Sequence, residues 1–148
     1  MKVVVQKCIN ASVLINGDEK RSIDKGFVIL LGIRVDDDMN DIDYIVNKIK
    51  NLRIFEDEND KLNLSLEDVS GSILLISQFT LYGDTRKGNR PSFVDAMKGE
   101  DAKKLYESFI DKLSLTNIPF KTGEFGADMK VSLINDGPTT IIIDSKEK

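Results

Sequence analysis

Four short stretches of this chain carry residue types that could do chemistry. The run Ser77-Gln78-Phe79-Thr80 places two hydroxyls and an amide at the end of an otherwise apolar segment. Serine and threonine at strand ends commonly satisfy neighbouring backbone groups. The same arrangement also makes a small polar pocket, in which Thr80 offers a hydroxyl, Gln78 an amide, and the turning backbone free N–H groups for a developing oxyanion. The run Asn135-Asp136-Gly137-Pro138-Thr139-Thr140 is a turn by composition. A Gly-Pro bond can also be cis, and it would then fix two adjacent carbonyls as rigid acceptors suited to stereochemical discrimination.

Lys7 interrupts an apolar face. It either snorkels to the sheet edge or points its ammonium at backbone carbonyls or a substrate anion. Arg86, Lys87 and Arg90 fall within the loop-like segment Tyr82 to Pro91, which contains two glycines, and are the best local contact for phosphate. Phe125 and Met129 suit either the core or the wall of an apolar pocket. Cys8 has no basic neighbour to activate its thiol and reads as structural.

Composition narrows what these residues can do. The chain has 148 residues, enough for one domain spanning 1–148 with a single sizeable core. It has no histidine, so no imidazole can serve as general base, proton shuttle or metal ligand. One cysteine excludes an internal disulfide and any multi-cysteine zinc site, leaving only carboxylate-type metal sites open. With 25 acidic against 21 basic residues, the net charge of −4 excludes a wrapping, nonspecific polyanion binder. Contact with nucleic acid must therefore be local. The absence of a signal-like start and of any apolar run of transmembrane length leads us to expect a soluble, cytoplasmic protein with no membrane partner.

The elements that must position these residues follow from periodicity. Val3, Val5, Ile9, Ala11, Val13 and Ile15 alternate as in a strand with one buried face, and Asn16-Gly17 suits a hairpin turn. Phe27 to Ile33 is apolar nearly throughout, as in a strand covered on both faces. Asp36 to Asp38 supply N-cap candidates for a helix carrying Ile42, Ile45, Val46, Ile49 and Leu52 on one face. Glu56 to Asp60 reads as a solvated turn. Ile73 to Leu81 reads as a strand, Glu100 to Leu115 as a second amphipathic helix, and Val131 to Ile134 and Thr139 to Ile143 as strands separated by Gly137-Pro138. The expected fold class is α/β, strands at both ends with two main helices between them. There is no repeat or linker.

Taken together, Ser77-Gln78-Phe79-Thr80-Leu81, Asp84-Thr85-Arg86-Lys87-Gly88, Arg90-Pro91-Ser92-Phe93 and Asn135-Asp136-Gly137-Pro138 resemble the bacterial D-aminoacyl-tRNA deacylase family, historically the D-tyrosyl-tRNA deacylases. The resemblance runs the whole length, through Arg53-Ile54-Phe55 and Gly126-Ala127-Asp128-Met129. It implies a homodimer of single-domain, β-rich, barrel-like subunits with active sites at the subunit interface and no cofactor or metal. The implied reaction is hydrolysis of D-aminoacyl-tRNA, or mischarged glycyl-tRNA, at the tRNA 3′ end. A cis Gly137-Pro138 pair from one subunit would exclude L-amino acids in the site of the other, with Met129, Lys7 and Asn135 beside the substrate.

Ser77, Gln78, Phe79 and Thr80 would hold the ester and the terminal adenosine, with the Phe79 N–H as oxyanion donor. Two mechanisms fit: attack by Thr80, or water activated with help from the terminal 2′-hydroxyl of the tRNA. The second is favoured, because a threonine hydroxyl without an adjacent base is a weak nucleophile. The family's usual arginine is Lys7 here, which reduces a bidentate clamp to a single-point contact. Two other readings compete: a tRNA 3′-end binding protein without turnover, and an unrelated small-molecule hydrolase on the same fold.

Overall fold

The computed structural model describes residues 1–148. The chain opens with a 14-residue strand, β1 (Lys2–Ile15), which turns at Asn16 and Gly17, both with positive φ, into β2 (Glu19–Ile23). β3 (Gly26–Gly32) then returns antiparallel along the first half of β1, while β2 occupies the same edge of its second half.

The first helix, α1 (Met39–Asn51), begins at Asp38, whose carboxylate accepts from the N–H groups of Asn40 and Asp41. Asp41 completes a capping box by accepting from the Asp38 N–H at 2.9 Å. A short hairpin of β4 (Phe55–Glu56) and β5 (Leu62–Leu64) follows. β6 (Ser72–Ser77) pairs parallel to β3, the second helix α2 (Gly99–Ser114) crosses over, and β7 (Phe120–Thr122) pairs parallel to β6. Parallel neighbours need such crossovers, which is why both helices lie between strands in sequence. At the start of the β3–β6 pair, Gly26 sits so close to the Ser72 backbone that any Cβ would overlap its carbonyl oxygen.

The last strand, β8 (Met129–Asp144), runs antiparallel along the whole of β1 on its other edge. The sheet therefore reads β2-β1-β3-β6-β7, with β8 added to β1. It curls until its ends nearly meet: the Arg21 guanidinium on β2 donates to the carbonyls of Thr122 at 2.7 Å and Gly123 at 3.3 Å, at the end of β7. The result is a nearly closed, barrel-like α/β subunit.

As expected, β3 is buried on both faces, and β6 is as well. Phe27, Ile29, Leu31, Ile73 and Leu75 join Ile42, Ile45 and Ile49 of α1 and Tyr106, Phe109 and Leu113 of α2 in one core. Val28, Leu74 and Ile76 face a second core with Cys8, Ala11, Val13 and Ile15. β1 serves both cores because it bulges. From Gln6 to Cys8 it advances two residues while β8 moves five, from Thr140 to Asn135. From Cys8 to Ala11 it advances three while β8 moves two, to Leu133. Before the bulge odd-numbered residues enter the helix-side core, and after it they enter the barrel interior.

Three sequence expectations change. Ile9, expected on the buried face, lies in the bulge and is 53% exposed, and Cys8 is buried instead. Burial pushes the Cys8 thiol up to about 11, so it stays protonated. The strand expected to run to Leu81 ends at Ser77, because Phe79–Tyr82 coil into a 3-10 turn closed by Leu81 N–H to Gln78 O. The two strands expected around Gly137-Pro138 form one element, β8, although pairing with β1 lapses between Asn135 and Thr140.

The chain ends are fastened together. The Met1 ammonium, fully buried, donates to Asp37 at 2.5 Å and to the Ser145 hydroxyl at 2.8 Å, and Lys146 reaches Asp41 at 3.0 Å. Burial works against ionisation of Asp41, but hydrogen bonds from Ser145, the Asp38 backbone and Lys146 outweigh it and hold the carboxyl well below the usual carboxylate range. A depressed folded-state pKa stabilises above the unfolded-state value and is lost as pH falls below it. Asp41→Asn is therefore expected to cost about 1–2 kcal/mol at neutral pH. The wild type should lose that advantage as pH falls below about 4. Urea midpoints of both proteins between neutral and acid pH check this; a gap that persists unchanged in acid contradicts it.

Candidate active site

β6 delivers Ser77 to the rim of the sheet, and the 3-10 turn that follows reverses the backbone there. The first hydrogen bond of that turn is made by Leu81, so the N–H groups of Phe79 and Thr80 precede any internal acceptor. Ser77, Gln78 and Phe79 form one wall of a cleft of about 710 Å³. Phe125 and Met129, at the entry to β8, form another, and Phe93 and Met97 a third. Eleven of the seventeen lining residues are hydrophobic, so the cleft is a mostly apolar slot with a polar, N–H-bearing wall. Phe125 is backed by Tyr106, whose ring lies 5.5 Å away.

Thr80 stands beside this wall. Its hydroxyl oxygen accepts a hydrogen bond from the Gln78 side-chain amide. An attacking hydroxyl must give up its proton to a base, and an amide N–H cannot receive one. The ionisable groups on the cleft wall are Lys98 and Asp128, and the Asp128 carboxylate is held by Lys130 at 2.9 Å. What the geometry provides is a shaped apolar slot and backbone donors, the elements of an oxyanion site without a side-chain base.

The remaining sequence candidates lie elsewhere on the subunit. The Gly137-Pro138 bond is cis, both residues are exposed, and neither lines the cleft of its own chain. Asn135, expected beside the substrate, has its amide committed locally: its Oδ1 accepts from the Thr139 N–H at 3.0 Å and its Nδ2 donates to Thr140 Oγ1 at 3.1 Å. It staples the arc that carries Gly137 and Pro138. Gly137 has φ +124°, and a Cβ there would strike Thr139 Oγ1.

Lys7 is fully buried, and its ammonium neither snorkels nor reaches carbonyls. It donates to both carboxylate oxygens of Glu56, at 2.7 and 2.8 Å, below the Phe55 ring at 5.8 Å. The hydrogen bond from Lys7 is the largest cause of a Glu56 carboxyl below its usual range. Glu56, expected in a solvated turn, is thus the counter-charge of a buried cation.

Arg86, Lys87 and Arg90 share a second concavity of about 320 Å³ with Ser92, Val94 and the carboxylates of Asp84 and Asp95, which leaves the cations in excess by one. Asp84 holds Arg86 there, accepting from its Nε at 2.9 Å and its Nη2 at 2.7 Å. Lys87 and Arg90 form no ion pair within the chain. The segment from Ser92 to Lys98 is the partition between the two hollows, since Ser92 and Val94 line one and Phe93, Met97 and Lys98 the other. Sequence reasoning missed Glu56 and the side chain of Phe93. Only the Phe93 position gave a signal, as part of Arg90-Pro91-Ser92-Phe93.

A fold of this kind recurs among solved structures. The chain superposes on one described as a c-Myc DNA Unwinding Element Binding Protein with a TM-score of 0.91, 44% identity and 97% and 98% of the two chains covered. A probable eukaryotic D-amino acid tRNA deacylase shares the fold at a TM-score of 0.82 and 18% identity, over 96% and 97% of the chains. These likenesses place the chain in a recurring barrel-like α/β fold.

Sequence identifies the family within that class. The family model for D-Tyr-tRNA(Tyr) deacylase matches residues 4–144. The D-aminoacyl-tRNA deacylase of Finegoldia magna is 62% identical over 148 residues, the full length of both chains. That of Clostridium beijerinckii is 58% identical, covering 99% of this chain and 98% of its own. The protein belongs to the D-aminoacyl-tRNA deacylase family.

Because Lys7 is buried and Glu56, itself 45% exposed, is its one counter-charge, Glu56→Ala should destabilise the protein by about 1–3 kcal/mol, whereas Lys7→Met combined with Glu56→Gln should cost less. Chemical denaturation of the two variants checks this; equal losses contradict a charge-pairing role.

Proposed function

We propose that this protein hydrolyses the ester of D-aminoacyl-tRNA, and of glycyl-tRNA, to free amino acid and tRNA. The observation that carries the proposal is the unused backbone N–H of Phe79 on the wall of an apolar cleft, with that of Thr80 beside it, in a full-length member of this family. Water adds to the ester carbonyl carbon, negative charge gathers on the carbonyl oxygen facing the Phe79 N–H, and the carbon–oxygen bond to the ribose 3′-oxygen breaks. The departing oxygen takes a proton and leaves as the tRNA 3′-hydroxyl. With no imidazole in the chain and the Thr80 hydroxyl tied to an amide donor, the proton relay is assigned to the neighbouring 2′-hydroxyl of the substrate. The apolar walls at Phe125 and Met129 suit the flat terminal adenine.

The same proposal makes the working unit a homodimer, with Gly137 and Pro138 of one subunit facing the cleft of the other. Support comes from β8, none of whose sixteen residues is fully buried and which carries Ile134 at 53% and Ile142 at 67% exposure on a strand edge. The arc's carbonyls would then leave no room for an L side chain, while glycine passes. Lys87 and Arg90, in no ion pair within the chain, are the phosphate contacts, with Arg86 held in reserve by Asp84.

Three outcomes are expected. Purified protein should release D-tyrosine from D-tyrosyl-tRNA at least about a hundredfold faster than L-tyrosine from L-tyrosyl-tRNA, a difference of ~2.7 kcal/mol in barrier. Equal rates, or tRNA retained with its ester intact, would contradict the proposal. Thr80→Ala should keep activity within about tenfold of wild type; abolition of turnover with binding intact would restore Thr80 as nucleophile. Gly137→Ala, which forces a side chain into a left-handed φ against Thr139, should narrow the D-over-L ratio without unfolding the subunit. A ratio unchanged in that variant would remove the arc from the chiral filter.

A further inference from the structure

Of the three aromatic pairs in the subunit, Phe27 with Phe55 is sealed in the core and Tyr106 with Phe125 backs the cleft, while Phe79 with Phe93 stands at the surface. Their centroids are 5.1 Å apart in an edge-to-face arrangement at 69°, and the Phe79 ring is 53% exposed. The cost of leaving such a ring in water is not offset by any packing on its outer side. The pair's position is informative: both rings line the cleft, and Phe93 sits on the partition whose other side, at Ser92 and Val94, opens into the basic hollow of Lys87 and Arg90. An apolar slot, an exposed aromatic ridge and a cationic hollow therefore follow one another across the surface. Single-stranded RNA presents the matching sequence of flat bases beside regularly spaced phosphates, and its recognition depends on stacking upon aromatic side chains.

We infer that the Phe79 and Phe93 side chains form a stacking platform for the penultimate base of the tRNA 3′ end, directing the phosphates that follow into the hollow of Lys87 and Arg90. The inference rests on the functional reading above, which puts the terminal adenosine in the cleft. It gives the Phe79 side chain a task separate from that of its backbone N–H. Stacking tolerates any base, so the platform binds the common 3′ end shared by tRNAs rather than selecting among them.

The test compares D-tyrosyl-tRNA with the same substrate carrying an abasic sugar-phosphate at the penultimate position, which keeps every phosphate. For the wild type, the abasic substrate should raise KM by about tenfold or more while the single-turnover plateau rate stays within about twofold. In Phe93→Leu the natural substrate should weaken by a similar factor, and the abasic change should add nothing further. A wild type indifferent to the missing base overturns the inference, as does an abasic penalty that persists in full in Phe93→Leu. So does a Phe93→Leu protein whose only change is a concentration-dependent shift in sedimentation, which would make the ridge a contact between copies of the chain. If Phe93→Leu fails to fold, the wild-type comparison decides alone. If the wild type does not hydrolyse the natural substrate, the functional reading fails, and equilibrium binding of uncharged tRNA with and without the penultimate base still decides the platform.

Discussion

A single irregularity in β1 organises much of this molecule. One extra residue between Cys8 and Ala11 reverses which face of the strand looks inward, so that one 14-residue segment closes the helix-side core with Val3 and Val5 and the barrel interior with Ala11, Val13 and Ile15. A strand of strict alternation would serve only one of these cores. The adjoining register shift, between Gln6 and Cys8, leaves β8 with three residues more than β1 can pair, and Gly137 and Pro138 fall within that unpaired arc. Asn135 then uses both ends of its amide to hold the arc's shape. Lys7 lies at the edge of the bulge, where its ammonium is buried and needs Glu56 from the β4–β5 hairpin. Core formation and the presentation of the Gly-Pro arc are therefore parts of one packing solution.

The cleft shows a second constraint, chemical rather than topological. Ester hydrolysis needs stabilisation of an oxyanion and a route for protons, and this chain has no imidazole and a cysteine thiol that burial keeps protonated. Its resources at the cleft are the backbone N–H groups exposed where β6 turns into the 3-10 turn. Backbone donors of this kind are fixed in place before reaction, so they need no reorganisation as charge develops. The proposed use of the substrate's own 2′-hydroxyl supplies what they lack. It would also make RNA identity a condition of catalysis and not only of binding.

Features set by neighbouring residues were legible in the sequence. The Asp38 cap and apolar stripe of α1, the positive-φ turn at Asn16-Gly17, and the double-sided burial of β3 each depend on residues within a few positions of one another. Features that depend on distant partners were not legible. Nothing around Lys7 indicates that its carboxylate lies 49 residues away at Glu56. Ile9 continues the alternation of β1 and is exposed only because pairing with β8 shifts there. Ser77 to Thr80 drew attention as polar residues after an apolar run, yet a run of β-formers through Leu81 concealed the 3-10 turn that frees the N–H groups. The motifs that stood out together in the sequence lie apart on the subunit, with the cleft residues on one part, the Gly-Pro arc on another, and the cationic loop on a third.

The central claim is that the protein supplies shape and backbone donors while the RNA supplies the proton relay. It is tested most directly by single-turnover hydrolysis of D-tyrosyl-tRNA whose terminal adenosine lacks the 2′-hydroxyl, compared with the natural substrate at saturating enzyme. The account predicts a rate at least about a hundredfold lower for the deoxy substrate, the magnitude of a lost general acid–base group, with affinity nearly unchanged. Equal rates for the two substrates would contradict it and return the proton relay to a group on the protein.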